Sequence, residues 1–179
     1  SVIDSTLGEI TTFANATNSL TLELFSGSDT LIVSGLDARE DGGGAYSAHL
    51  AILGDGGDTV RVTGGVDVGA GNVEIGIAAG RPIQAISFDG GSLQTTGAVA
   101  LKATNGIGSN SAATDVFAAT LTAVAGTGVA LETEVANLEA SGGTGGVQIT
   151  EEDSLTLGGI GSLLGVSATG GDILITANG

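Results

Sequence analysis

Apolar residues alternate with polar ones in runs of only three to five residues, and Gly, Asn, Asp or Ser closes almost every run. Leu20-Thr21-Leu22-Glu23-Leu24, Leu31-Ile32-Val33, Leu50-Ala51-Ile52-Leu53 and Val60-Arg61-Val62 set the style. Val73-Glu74-Ile75, Val99-Ala100-Leu101, Val129-Ala130-Leu131, Val147-Gln148-Ile149 and Ile173-Leu174-Ile175 continue it. Period-two runs bounded by turn residues are short strands with one buried face. A strand this short cannot bury that face alone and has to stack on copies of itself.

A longer unit repeats above the strands: a short strand, a glycine-containing corner, a second short strand. Val66, Leu93, Leu121, Leu138 and Val166 open successive units and stand 27, 28, 17 and 28 positions apart. Coils of a solenoid vary in this way, because a corner loop lengthens while the strands stay in register. With Gly 33, Pro 1 and aromatics at 3%, a narrow interior of Val, Ile, Leu and Ala turning at glycine is expected. The fold expected is therefore all-β, a parallel β-helix (β-solenoid) with Gly-rich corners. It forms one segment over 1–179, irregular over 1–60 and clearer over 61–179. At about 25 residues per coil and about 4.8 Å per layer this gives on the order of seven coils and about 35 Å of rod. A β-sandwich is the alternative, although it usually carries a core Trp or Tyr and here Trp is 0 and Tyr46 follows a glycine run. Helix is the second ambiguity, since Leu131, Val135 and Leu138 fall at i, i+4 and i+7, and Asp115 to Ala125 is Ala-rich.

Four Lys+Arg against twenty Asp+Glu give a formal charge of −16, which argues against nucleic acid or an anionic membrane as partner. Cys 0 removes disulfides, thiolate metal sites and cysteine nucleophiles, and His 1 removes any multi-histidine cage. No stretch of about eighteen apolar residues is present, so the chain is not expected to be transmembrane. The opening SVIDST has no initiator Met and reads as processed or cut from a longer chain. The acidic, Lys-poor balance leans to an extracellular or cell-surface setting.

The second half of the sequence carries a family likeness, in Ala103-Thr104-Asn105-Gly106-Ile107-Gly108, Val135-Ala136-Asn137-Leu138-Glu139-Ala140, Ile149 to Leu157 (ITEEDSLTL) and Gly171-Asp172-Ile173. It resembles the degenerate repeats of giant bacterial surface proteins of the filamentous-haemagglutinin-like adhesin type, over a little under half the chain. The resemblance implies a secreted β-helical stalk or filament and assigns no binding residue. The secretion domain typical of such proteins is not visible in the sequence.

Candidate sites are few. Asp55-Gly56-Gly57-Asp58 and Gly27-Ser28-Asp29 look like half-turns of a calcium-binding β-roll, which needs consecutive copies to share each ion. Glu151-Glu152-Asp153 sets three carboxylates together. Any calcium site is therefore expected at Asp29, Asp55, Asp58, Glu151, Glu152 and Asp153, against the simpler reading as acidic turns. Asp37 to Gly42 fails as an EF-hand, because Arg39 takes a ligand position and Ala48 stands where the bidentate Glu belongs. Asp67, Glu74, Glu132, Glu134 and Glu139 are expected to point outward from strands. A polysaccharide-active β-helix would need paired carboxylates with cations and stacking rings, and only Arg39, Arg61, Arg81 and Lys102 are available. His49 reads as a strand-edge histidine, and Asn15-Ala16-Thr17 is a glycosylation sequon. Gly69-Ala70-Gly71 lacks the third glycine of a phosphate loop, Glu74 standing there. Thr120-Leu121-Thr122 is not repeated in register as an ice-binding ladder would require.

The expectation is a structural or interaction segment rather than an enzyme, with no catalytic residue and no cofactor unless calcium. Its partners would be neighbouring repeats or copies of itself stacked end to end, with a surface glycan or host or cell receptor as a further candidate. A calcium-dependent binding module is the alternative, followed by a polysaccharide-active β-helix enzyme.

Overall fold

Every strand pair that builds the main sheet is parallel, and each strand pairs with its counterpart one coil away. The computed structural model describes residues 2–4, 10–12, 16–36 and 47–179. The acidic loop Asp37–Gly42, Tyr46 and the sequon residue Asn15 lie outside the described residues. Strands β1 (Val2–Asp4) and β2 (Ile10–Thr12) form a separate antiparallel pair.

Seven coils follow. The first holds β3 (Ser19–Glu23), β4 (Thr30–Val33) and the single bridge residue Leu36. The second holds β5 (His49–Leu53), β6 (Thr59–Val62) and β7 (Gly65–Asp67), and the third β8 (Val73–Ile75), β9 (Ala85–Phe88) and β10 (Ser92–Gln94). Next come β11 (Ala98–Ala103), β12 (Ile107–Ser109) and two long bent strands, β13 (Val116–Ala125) and β14 (Val129–Gly142). β15 (Val147–Glu151), β16 (Thr156–Leu157), β17 (Val166–Ala168) and β18 (Ile173–Ala177) complete the winding.

Three rows of parallel strands result. The first runs β3, β5, β8, β11, the end of β13 and the end of β14, with β16 and β17 beside the last. The second runs β4, β6, β9, β12, the start of β14, β15 and β18. The third begins at Leu36 and runs β7, β10, the start of β13 and the middle of β14. The molecule is thus all-β and solenoid-like. Sandwich sheets are built from antiparallel neighbours, so this pairing departs from the β-sandwich alternative. Among the described residues there is no helix, hence none long and apolar enough to cross a membrane.

Alternation along each row puts the apolar residues inside. Leu50, Val73, Val99, Leu121 and Leu138 stack in the first row, and Val60, Ile86, Ile107, Val129 and Val147 in the second, all buried. Leu131, Val135 and Leu138 are also all buried, but each faces inward from a different row of the same bent strand. Their helix-like spacing therefore arises from corners that reset the two-residue alternation.

The winding corrects two sequence expectations. Val66 and Leu93 belong to the third row, whereas Leu121, Leu138 and Val166 belong to the first. Leu93 pairs with Val116, not Leu121. One strand–glycine–strand pattern serves two different corners, and the apparent period merged them. The corners are also not uniformly glycine-rich: β13 and β14 bend from the third row to the first through Ala119 and Ala136 without any glycine. Dropping those loops shortens the coil from 30 residues, Leu20 to Leu50, to 17, Leu121 to Leu138.

Where glycine is retained between the first and second rows, close approach of coils is a stronger reason than backbone sign. A Cβ on Gly126 would collide with the Thr104 carbonyl oxygen, and one on Gly143 with the Gly126 oxygen. By contrast, Gly108 on β12 has nothing within 4 Å of that position. Gly143→Ala is therefore expected to cost about 1–3 kcal/mol, and Gly108→Ala to stay within about 0.5 kcal/mol, as read from urea midpoints at unchanged m. Equal effects at the two positions would contradict the close stacking of these corners.

Candidate functional site

Acidic side chains are the only abundant chemistry on this chain, and the coils place them in three kinds of position. The corner between β5 and β6 brings together Asp55 and Asp58. Asp58 is fully buried just before β6: its Oδ1 accepts the Asp29 amide of the preceding coil at 3.0 Å and its Oδ2 accepts the Asp55 amide at 2.8 Å. Asp55 Oδ2 accepts the Gly27 amide at 3.2 Å, and its Oδ1 accepts the Gly57 amide at 3.2 Å. Both carboxylates thus pin one corner to the next. Asp29 contributes its amide to this arrangement, while its side chain is exposed.

Glu151, Glu152 and Asp153 lie elsewhere, at the end of the second row. Glu152 and Asp153 are exposed; Glu151 faces inward and is buried. Its two oxygens accept the Thr133 hydroxyl at 2.7 Å and the Val135 amide at 3.0 Å. The third row stops at Thr133–Val135, and the Glu152 amide takes the Thr133 carbonyl at 2.9 Å. Glu151 therefore terminates a ladder, supplying the acceptor that a further strand would have given Val135. Burial pushes its carboxyl above the usual range, and the charge of Asp153 adds to this. Among the described residues no three His, Cys, Asp or Glu side chains converge as a metal ion would require.

Two further buried carboxylates escaped sequence reasoning. Asp115, just before β13, accepts the Ser109 hydroxyl at 2.8 Å and the Glu132 amide of the next coil at 2.9 Å. Burial pushes its carboxyl up to about 6, against the lowering effect of these two bonds. Glu139 was expected to point into solvent with Asp67, Glu74, Glu132 and Glu134. Glu74 and Glu134 are exposed and Asp67 and Glu132 half-buried, but Glu139 is buried beneath the loop 158–165. Its oxygens accept the Ile160 and Gly161 amides, each at 3.0 Å. An aspartate immediately before a strand is a signal shared by Asp58 and Asp115; Glu139 has no such local mark, because a distant loop covers it.

The few cations also link coils. Arg61 on β6 pairs with Asp89 at 2.5 Å, and Asn110 donates to the other oxygen of Asp89 at 2.8 Å. Arg81 donates to the Gly54 carbonyl at 2.9 Å, pairs with Glu23 at 3.2 Å and lies 5.7 Å from the centre of the Phe25 ring. It thereby ties three successive coils at one corner. His49 is exposed at the start of β5, and its Nδ1 accepts the Asn72 amide at 3.2 Å.

A carboxyl raised by burial holds its proton more tightly when folded than when unfolded. Asp115 and Glu151 therefore contribute stability that is complete below pH about 4 and is lost as pH rises; for Asp115 the loss runs through about 6. For Asp115 the change amounts to about 3 kcal/mol. Asp115→Asn, whose amide oxygen and nitrogen match the Glu132 N–H and the Ser109 hydroxyl, is expected to flatten the difference between denaturation at pH 5 and at pH 8. An undiminished pH difference in that variant would remove Asp115 from the account.

Comparison with protein-family models, with curated proteins and with solved structures returns no match.

Proposed function

We propose that this chain is a parallel β-helical segment of a secreted bacterial surface or filament protein, giving stiffness and reach at the cell surface. The observation that carries the reading is the use made of the buried acids. Asp58, Asp115, Glu139 and Glu151 each accept two hydrogen bonds from the protein, and seven of those eight donors are backbone amides or the hydroxyl that completes a ladder end. Groups that in an enzyme would face substrate here join one coil to the next. The continuous parallel rows support the same reading, since inter-coil hydrogen bonds run along the whole length. Outside, the charge of −16 keeps such a surface soluble and resists non-specific clumping. The likeness to filamentous-haemagglutinin-like repeats agrees in style, and adhesion through a glycan or receptor belongs to the same proposal.

The test is thermal unfolding in millimolar calcium and in chelator. A structural segment held by its own amides is expected to melt at the same temperature in both. Calcium bound at a hundred times its Kd would add about 2.7 kcal/mol to stability, a rise of several degrees for a chain of this size. Such a rise would replace this reading with a calcium-dependent binding module.

A further inference from the structure

We infer that Asn105–Gly106, at the corner between β11 and β12, is a site of spontaneous self-modification, where the folded chain loses the Asn105 side-chain amide and acquires an aspartate or a β-linked iso-aspartate. The inference does not depend on the structural reading above.

The ladder leaves one amide over at this corner. The Asn105 N–H goes to the Gln84 carbonyl of the preceding coil at 2.8 Å, and the Ile107 N–H to the Gly128 carbonyl of the next at 3.0 Å. The Gly106 N–H between them has no backbone acceptor among the described residues. It follows an exposed Asn105, whose side chain has no hydrogen-bond partner among the same residues, and Gly106 brings no side chain to shield its nitrogen. That nitrogen and the Asn105 side-chain carbonyl carbon are placed to close a succinimide ring, an intramolecular attack favoured by proximity.

The comparable positions lack this combination. Asp55 and Asp89 also precede glycine, but Asp55 accepts the Gly27 and Gly57 amides, and Asp89 is held by Arg61 and Asn110. An ionised carboxylate is in addition a poor electrophile. Asn72 accepts the Ala98 amide, Asn110 donates to Asp89 and Asn137 donates to the Gly158 carbonyl. Each of these three precedes a residue with a side chain.

The reaction needs only water. The Gly106 nitrogen gives its proton to hydroxide and attacks Cγ of Asn105; the N–Cγ bond forms, the Cγ–Nδ2 bond breaks, and Nδ2 leaves as ammonia with a proton from water. Water then opens the succinimide, at Cγ to give aspartate or at the α-carbonyl carbon to give iso-aspartate. Either product adds a negative charge, and iso-aspartate adds one atom to the backbone. The Asn105 carbonyl accepts the Thr127 amide at 3.0 Å and the Gly106 carbonyl accepts the Ile86 amide at 3.1 Å. Bonds to both neighbouring coils therefore flank the altered link, and the extra atom takes them out of register.

The test is peptide mapping by mass spectrometry of the folded chain aged in mildly alkaline buffer, with Asn178→Gln removing the other Asn–Gly step. Asn105 is expected to convert at least about tenfold faster than Asn72, Asn110 or Asn137. Gly106→Ala places its Cβ 3.4 Å from the Thr127 hydroxyl and 3.7 Å from the Gly128 carbonyl oxygen, which is ordinary contact. That variant should keep the circular dichroism spectrum and convert about tenfold more slowly. Aged chain carrying iso-aspartate should exchange the Ile86 and Thr127 amide hydrogens faster than fresh chain, and Gly106→Ala aged alike should not. An Asn105 that keeps its amide in the folded chain, while guanidinium-unfolded chain loses it, would overturn the site. Conversion no faster than at the other three asparagines would do the same. Unchanged exchange after conversion would overturn the loosening of the corner.

Discussion

The parallel hydrogen-bond ladder between successive coils is the interaction on which everything else depends. Stacked strands lie about 4.8 Å apart, and where the corner backbones of successive coils approach most closely there is no room for a Cβ aimed at the next coil. Gly126 and Gly143 meet this constraint by having no Cβ, and Ala119 and Ala136 meet it by bending a continuous strand instead. Inside, the same spacing aligns Val, Ile and Leu into rows. Among the described residues one aromatic, Phe88, lies fully within.

A solenoid-like winding of this kind leaves backbone amides unpaired wherever a corner interrupts a row or a row stops. Burying such an amide without an acceptor costs about 1–3 kcal/mol. Carboxylates at Asp58, Asp115, Glu139 and Glu151 fill these gaps, with hydrogen bonds of 2.7–3.0 Å. Desolvation opposes this use, and its effect is visible in the raised carboxyls of Asp115 and Glu151. The acidity of the chain therefore has two parts: exposed groups that keep the surface soluble and a buried minority that closes the backbone.

Much of this was legible in the residues. The period-two runs located the strands, and most of their alternating apolar members lie inside, Ile32, Ile173 and Leu174 being exposed, because alternation and burial are linked wherever one face is covered. The number of coils also followed from coil length. The unit boundaries did not: Val66 and Leu121 head similar strand–glycine–strand patterns, yet they sit in different rows. A corner resets the alternation without leaving a local mark, as Leu131, Val135 and Leu138 illustrate. The acidic corner at Asp55 and Asp58 was found as a place, but its hydrogen bonds to the Asp29, Gly27 and Gly57 amides were not, since a carboxylate facing an amide and one facing a cation have the same sequence. Glu139 could not be found at all, because the loop 158–165 that covers it is some twenty residues away.

The most direct test of the winding is the set of short inter-strand proton contacts seen by nuclear magnetic resonance in the isotope-labelled chain. Parallel rows in the register described predict contacts between the backbones of Leu93 and Val116, of Val99 and Leu121, and of Leu121 and Leu138. Contacts joining Leu93 to Leu121, or contacts whose order runs oppositely along the two strands, would contradict the parallel, solenoid-like winding on which the rest of the account is built.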